Sequence, residues 1–173
     1  MKRLHHPAPQ WMREGIKILD GEWELNGRPV KVPYPPQSPA SGYKGHIRDH
    51  LHYSTVFTIP ESFTGERILL HFGAVDQVAE IFVNGQKVGR HEGGYLAFSY
   101  DITEYVELTR ENLLEVKARD TLSHHYPYGK QRRKRGGMWY TPVSGIWQSV
   151  WLENVPGRYL GPAEITPDMR GFR

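Results

Sequence analysis

Apolar and polar positions alternate with a period of two along much of the chain, most clearly between Ile68 and Thr103. Ile68, Leu70 and Phe72 alternate with Leu69 and His71, and Ala79, Ile81 and Val83 alternate with Glu80, Phe82 and Asn84. This period belongs to strands that turn one face to a core. Asn84-Gly85 lies between VAEIFV and QKVGRH. An Asn-Gly pair between apolar runs predicts a two-residue hairpin, because both central residues of the favoured turn need positive φ. Gly93-Gly94 interrupts the pattern and predicts a bulge or a close backbone approach. Asp101-Ile102-Thr103 closes the stretch as a polar corner, with a short helical turn expected from Thr103 onward.

The same reading extends in both directions. Ile16 to Leu19 and Glu22 to Leu25 predict two strands joined by a hairpin-type turn at Asp20-Gly21, with Trp23 on the buried side, and Asn26-Gly27 marks another turn. Leu51 to Ile59 reads as a strand ended by Pro60. Leu114, Val116 and Ala118 alternate with charges, as in a half-exposed strand. Trp147 to Glu153 predicts the last strong strand, with Val150 and Leu152 on one face and Trp147 and Trp151 on the other. Eight or nine short strands and no long amphipathic helix point to an all-β protein, an antiparallel jelly-roll β-sandwich.

Two segments do not fit the strand pattern. Val32 to His50 carries four prolines and several Gly and Ser, and Thr121 to Pro142 mixes aromatics, a basic run and Gly136-Gly137. Proline cannot pair within a ladder, so both are expected to be long ordered loops, where function on β scaffolds is often carried. Residues 1–15 read as an extended lead-in that Trp11 pins to the surface, residues 16–155 as the sandwich, and residues 156–173 as a linker running into a further domain.

Composition narrows the chemistry. The chain contains no cysteine, which excludes disulfides, thiolate metal sites and cysteine nucleophiles. The 18 glycines and 13 prolines favour turns between short strands over long helices. The net charge of +3 owes much to one run, Lys130 to Arg135. That run is read as a solvated loop rather than a polyanion patch, since interleaved aromatics and helical context are missing. His46, His50 and His52 lie close in sequence without the helix-spaced carboxylate of a metal motif, so no metal site is expected. No Gly-x-Ser-x-Gly elbow, phosphate-cradling loop or dinucleotide fingerprint occurs, and no cofactor is expected. Asp76, Glu80, Glu92 and Asp101 fall where turns and exposed strand faces need polar groups, and His71 reads as a strand residue with a satisfied hydrogen bond.

Aromatic residues are dense in the two loops: Tyr34, Tyr43, Tyr126, Tyr128, Trp139 and Tyr140. Rings beside hydrogen-bonding groups suit carbohydrate, whose C–H faces stack while its hydroxyls pair. The competing role for these rings is to fill the space between loop and sheet.

The run LLHFGAVDQVAEIFVNGQKVGRHEGGYLAFSYDIT followed by GMWYTPVSGIWQSVWLE resembles the N-terminal domain of family 2 glycoside hydrolases, which include β-galactosidases, β-glucuronidases and β-mannosidases. The matching elements are Phe72-Gly73 with Asp76, the Asn84-Gly85 hairpin, His91 with Gly93-Gly94-Tyr95, Phe98, Asp101-Ile102-Thr103, Asn112-Leu113 and Ser144-Gly145-Ile146-Trp147. They cover Ile16 to Glu153. The resemblance implies a galactose-binding-domain-like jelly roll that lends loop side chains to the sugar pocket of a barrel with two catalytic glutamates, neither of which this chain carries. It also implies that the closing AEITPDMRGFR begins an immunoglobulin-like domain.

The chain departs from the β-galactosidase pattern at two sugar-contacting positions. Arg48-Asp49-His50 stands where that branch has an Asn, and Gly137-Met138 where it has an acidic residue before the Trp. By position, Arg48, Asp49, His50, Trp139 and Tyr140 are the candidate substrate-binding residues, with no catalytic residue expected. The implied partner is a β-glycoside shared with further domains, with no nucleic acid and with homo-oligomerisation in the longer enzyme; because no apolar run of signal-peptide or membrane-span length occurs in the sequence, no membrane association and a cytoplasmic location are expected. Two other readings are a stand-alone carbohydrate-binding module and a polyanion-binding module acting through residues 130–135.

Overall fold

The structure, a computed structural model, describes residues 13–123, 125–134 and 136–161, together with Pro7 and the backbone of a short hairpin formed by Pro167–Asp168 and Gly171–Phe172. The expectations for Trp11 and most of the first fifteen residues lie outside the described residues, as does much of AEITPDMRGFR. Among the described residues no helix is long and apolar enough to cross a membrane.

In chain order the sandwich strands are β1 (Ile16–Ile18), β2 (Gly21–Leu25), β3 (Arg28–Val32), β4 (His50–Phe57), β5 (Arg67–Phe72), β6 (Val75–Asp76), β7 (Val78–Val83), β8 (Gln86–Glu92), β9 (Phe98–Asp101), β10 (Asn112–Arg119), β11 (Gly145–Ile146) and β12 (Val150–Val155). A four-stranded sheet β1-β12-β5-β9 faces a six-stranded sheet β3-β2-β4-β10-β7-β8, and β11 pairs with β6 as a small third ladder. Every pairing between these strands is antiparallel. The architecture is the all-β antiparallel jelly-roll sandwich expected from the strand spacing.

The inward residues of both sheets form one apolar core. Leu25, Tyr53, Ile81, Leu114 and Val116 from the larger sheet meet Leu70, Phe72 and Leu152 from the smaller, all at 0% exposure. Complete desolvation of such side chains contributes about 1.5–3 kcal/mol each. Trp23 is buried as its position predicts, and its indole N–H donates to Leu19 O at 2.8 Å.

Both Asn-Gly pairs form hairpin turns with positive φ at each residue: 50° and 73° at Asn26-Gly27, 51° and 79° at Asn84-Gly85. Asn84 also ties the hairpin to β10, accepting from Leu113 N–H at 2.9 Å and donating to Asn112 Oδ1 at 2.8 Å. At the opposite corner Asp101 accepts from Thr103 N–H at 3.0 Å, and the Thr103 hydroxyl accepts from Ile68 N–H at 2.9 Å. The expected helical turn is the 3-10 turn Thr103–Tyr105.

Three expectations need correction. Asp20-Gly21 is not a hairpin turn: β1 pairs with β12 in the smaller sheet, whereas β2 pairs with β3 and β4 in the larger. The chain changes sheets there, and Asp20 holds the crossing by accepting from Val150 N–H at 2.9 Å. Trp147 is not on the last strand, which begins at Val150. Its indole N–H instead donates to Gly94 O at 2.8 Å, and its ring meets Tyr95 edge-on. A period-two count runs through this stretch without registering the bend at Gln148-Ser149.

His71 lies on the outer face of the smaller sheet. Its ring stacks on Trp151 with centroids 4.9 Å apart, and Nε2 lies 3.2 Å from Glu153 Oε2 but off the line of a hydrogen bond, so the expected satisfied bond is not made. Glu153 is only 3% exposed. Burial alone would raise its carboxyl, but His71 and Arg13 more than offset that and hold it below the usual range.

Candidate functional site

The two loops that carry no ladder, between β3 and β4 and between β10 and β11, come together at one end of the sandwich. Their contacts run in both directions. Gln37 Nε2 donates to Ser144 Oγ at 2.6 Å, and Ser144 N–H donates back to Gln37 Oε1 at 3.2 Å. Asp120 N–H donates to Asp49 O at 2.9 Å, and Arg133 Nη2 reaches Asp49 Oδ1 at 2.6 Å. The first loop is stiffened by a 3-10 turn, Pro39–Ser41, capped by Ser38. The second folds back on itself: Tyr140 N–H donates to Lys130 O, Arg132 N–H to Tyr140 O and Val143 N–H to Gln131 Oε1.

Two adjoining clefts result, with Leu122 and Arg133 as the wall between them. The inner cleft, about 300 Å³, is lined by Gln37, Arg48, Asp49, Asp120 and Ser144 among others. The outer cleft, about 550 Å³, is lined by Tyr128, Gln131, Arg132, Lys134 and Trp139. Leu122 has φ of 50°, a left-handed conformation unusual for a residue with a bulky side chain. Asp120 holds it there by accepting from Leu122 N–H at 2.9 Å.

Asp120 and Asp76 form a buried acidic centre beneath this end, at 8% and 4% exposure. Burial pushes Asp76 up to about 7, and the neighbouring Asp120 charge adds to the shift. Burial likewise raises Asp120; the Leu122 N–H and Arg133 pull against it and Asp49 adds to it. Asp76 therefore does not occupy the exposed position expected of it. The backbone at Gly94 packs on the Asp76 carboxylate so closely that a Cβ there would overlap it, which is the close approach the glycine pair predicts. Glu80 and Glu92, by contrast, are exposed or partly exposed partners of Lys87 and Arg90.

Of the five candidate residues, Arg48 and Asp49 line the inner cleft and Trp139 the outer one. His50 does not join them. It begins β4 and lines a separate depression on the open face of the larger sheet with His52, Lys117 and Arg119. Tyr140 is 65% exposed and contributes backbone bonds rather than cleft lining. His52 pairs with Glu115 at 2.8 Å, and no cluster of three or more His, Asp or Glu suited to a metal ion occurs among the described residues.

The residues that sequence reasoning did not single out are Gln37, Asp120, Leu122 and Arg133. Asp120 had a local signal, a lone acid ending an alternating strand at the mouth of a loop. Arg133 had none, because it was one of several like charges in a run read as solvated.

The fold and this end of it define a β-sandwich with a polar and aromatic double cleft between two ordered loops. A family model described as "Glycosyl hydrolases family 2, sugar binding domain" matches residues 17–156, and the chain belongs to that family. It is 37% identical over 103 residues to a β-galactosidase of Thermoanaerobacter pseudethanolicus, covering 58% of this chain and 13% of that protein. It is 26% identical to a β-glucuronidase of Paenibacillus borealis, covering 90% of this chain and 32% of that one. Among solved structures, a Lactobacillus rhamnosus β-glucuronidase superposes with a TM-score of 0.66 at 29% identity over 84% of this chain and 30% of that one. The chain thus spans a third or less of these relatives.

Proposed function

We propose that this chain is the pocket-completing, non-catalytic sugar-binding domain of a longer retaining β-glycosidase. Residues 16–155 make the sandwich, and residues 156–173 lead toward further domains. The observation that carries the reading is the joining of the two long loops by Gln37–Ser144 and Asp49–Arg133, which sets two clefts side by side at one end of a rigid scaffold. Support comes also from the relatives, which are named for hydrolysis of galactosides and glucuronides.

Retaining hydrolysis needs two carboxyl groups on one site, about 5–5.5 Å apart, one to protonate the leaving oxygen and one to attack the anomeric carbon. In this reading both come from outside the chain. Asp49 is committed to Arg133 and Asp120 to a backbone N–H. What the chain supplies is binding: hydroxyl recognition by Arg48 and by the Asp49 oxygen that Arg133 leaves open in the inner cleft, whose wall Gln37 and Ser144 hold together, and ring contact at Trp139 in the outer.

Hydrolysis of nitrophenyl β-galactoside and β-glucuronide, measured for residues 1–173 and for the natural gene product, tests this. Turnover is expected only from the longer protein, and turnover by residues 1–173 overturns the reading.

A further inference from the structure

The outer cleft carries a charge that binding of a neutral sugar does not require. Arg132, Arg133 and Lys134 line it, and no Asp or Glu does among the described residues. Arg133 is neutralised by Asp49, whereas Arg132 and Lys134 have no carboxylate partner among the described residues. Arg132 is nevertheless ordered: its guanidinium lies over the Trp139 ring at 4.7 Å. Stacking fixes the plane of a guanidinium while leaving its N–H edge free for an oxyanion, a geometry that matches a planar carboxylate and that a flexible lysine does not provide by itself. Like charges lining a concave, partly apolar wall also concentrate the field they produce.

We propose that the outer cleft is a subsite for an acidic sugar, one bearing a carboxylate or a sulfate ester, next to the sugar held in the inner cleft. Arg132 and Lys134 receive the anion and Trp139 receives the ring. This rests on the carbohydrate reading given above and deepens it: the glycan bound is an acidic oligosaccharide. A run of four or more cations also suits nucleic acid, but only part of this run faces the cleft, and one of its arginines is spent on Asp49.

The test is titration of the protein with trigalacturonate, its methyl ester, a sulfated galactan oligosaccharide and an oligothymidylate of matched charge, at low and moderate salt. At least one acidic sugar is expected to bind about 10-fold more tightly than the methyl ester, the worth of one charge-assisted hydrogen bond. Which acidic probe wins distinguishes carboxylate from sulfate. The double variant Arg132→Gln, Lys134→Gln is expected to erase that preference, and Trp139→Ala to weaken acid and ester alike.

Equal affinity for acid and ester, binding of neither acidic probe, or oligothymidylate binding as tightly as the sugars each overturns the proposal. Ester binding as tight as that of the acid, and dependent on Trp139, would remove the anionic subsite and leave the sugar-binding reading standing. Hydrolysis by the longer protein judges that reading separately.

Discussion

Arg133 Nη2 donates to Asp49 Oδ1 across 2.6 Å, joining two residues 84 apart in the chain and bridging the β3–β4 and β10–β11 loops of the sandwich. Both side chains keep substantial exposure, 63% and 41%. A pair so exposed contributes between zero and about 1 kcal/mol to stability. Its consequence lies in placement: it sets the wall between the two clefts.

Arg133→Ala should therefore separate stability from function. Thermal denaturation is expected to move by no more than about 2–4 °C, the shift of a kcal/mol in a domain of this size. In the longer enzyme kcat/KM is expected to fall about tenfold, mainly through KM, because uniform binding is lost while the chemical step is untouched. An unchanged KM would show that the bridge does not shape the pocket.

Asp76 makes stability depend on pH in an identifiable direction. Its carboxyl titrates at about 7 in the fold against 3.8 when unperturbed. Between those values the folded state holds a proton that the unfolded state has lost, so this group's contribution falls as pH rises from about 4 to about 7. Asp120, raised in the same way, acts with it; Glu153, held low, acts oppositely at acid pH. Urea denaturation at pH 5 and pH 8 should show Asp76→Asn gaining relative to wild type at the higher pH. Equal differences at the two pH values would count against a buried, proton-holding carboxyl.

Gly145 combines two constraints. Its φ is 74°, and a Cβ would overlap the Tyr53 hydroxyl. Gly145→Ala is expected to cost about 2 kcal/mol or more, from left-handed backbone strain together with overpacking. The Tyr53 hydroxyl is fully buried and makes no aligned hydrogen bond, so Tyr53→Phe alone should cost little. Combining the two should recover part of the loss, measured as a coupling energy in a double-mutant cycle.

Asn112 is buried at 0% exposure yet fully occupied: its Oδ1 accepts from Glu107 N–H and Asn84 Nδ2, and its Nδ2 donates to Glu107 O and Arg110 O. Asn112→Ala leaves those groups without partners, and a loss of about 1–3 kcal/mol is expected by chemical denaturation. Asn112→Asp, which keeps the acceptor and loses the donor, should be no milder at neutral pH.

The chain by itself determined what depends on neighbours in sequence. Alternation over Ile68–Phe72 and Ala79–Val83 set strands and their inward faces, Asn84-Gly85 set a turn because few pairs tolerate two positive φ values, and prolines kept the segment between Val32 and His50 out of any ladder. These choices add up to an all-β sandwich, and the ordered motifs placed it in its family. What the sequence did not contain was which strands share a sheet and which loop residues meet. Asp20-Gly21 has the composition of a hairpin turn, yet β1 pairs with β12 in one sheet and β2 with β3 and β4 in the other, partners that lie far away in sequence or beyond the turn. Trp147 kept the period of a strand it does not join. Asp76 reads as polar surface until the ends of β6 and β10 bring it beside Asp120 under the loops. His50 and Asp49 are adjacent in sequence, but the pleat and the start of β4 send one to the open sheet face and the other to the cleft. Arg133 became more than one charge in a basic run only through a carboxylate from the other loop. Local pattern is fixed by torsion and desolvation along the chain, whereas a binding site is fixed by distances across it.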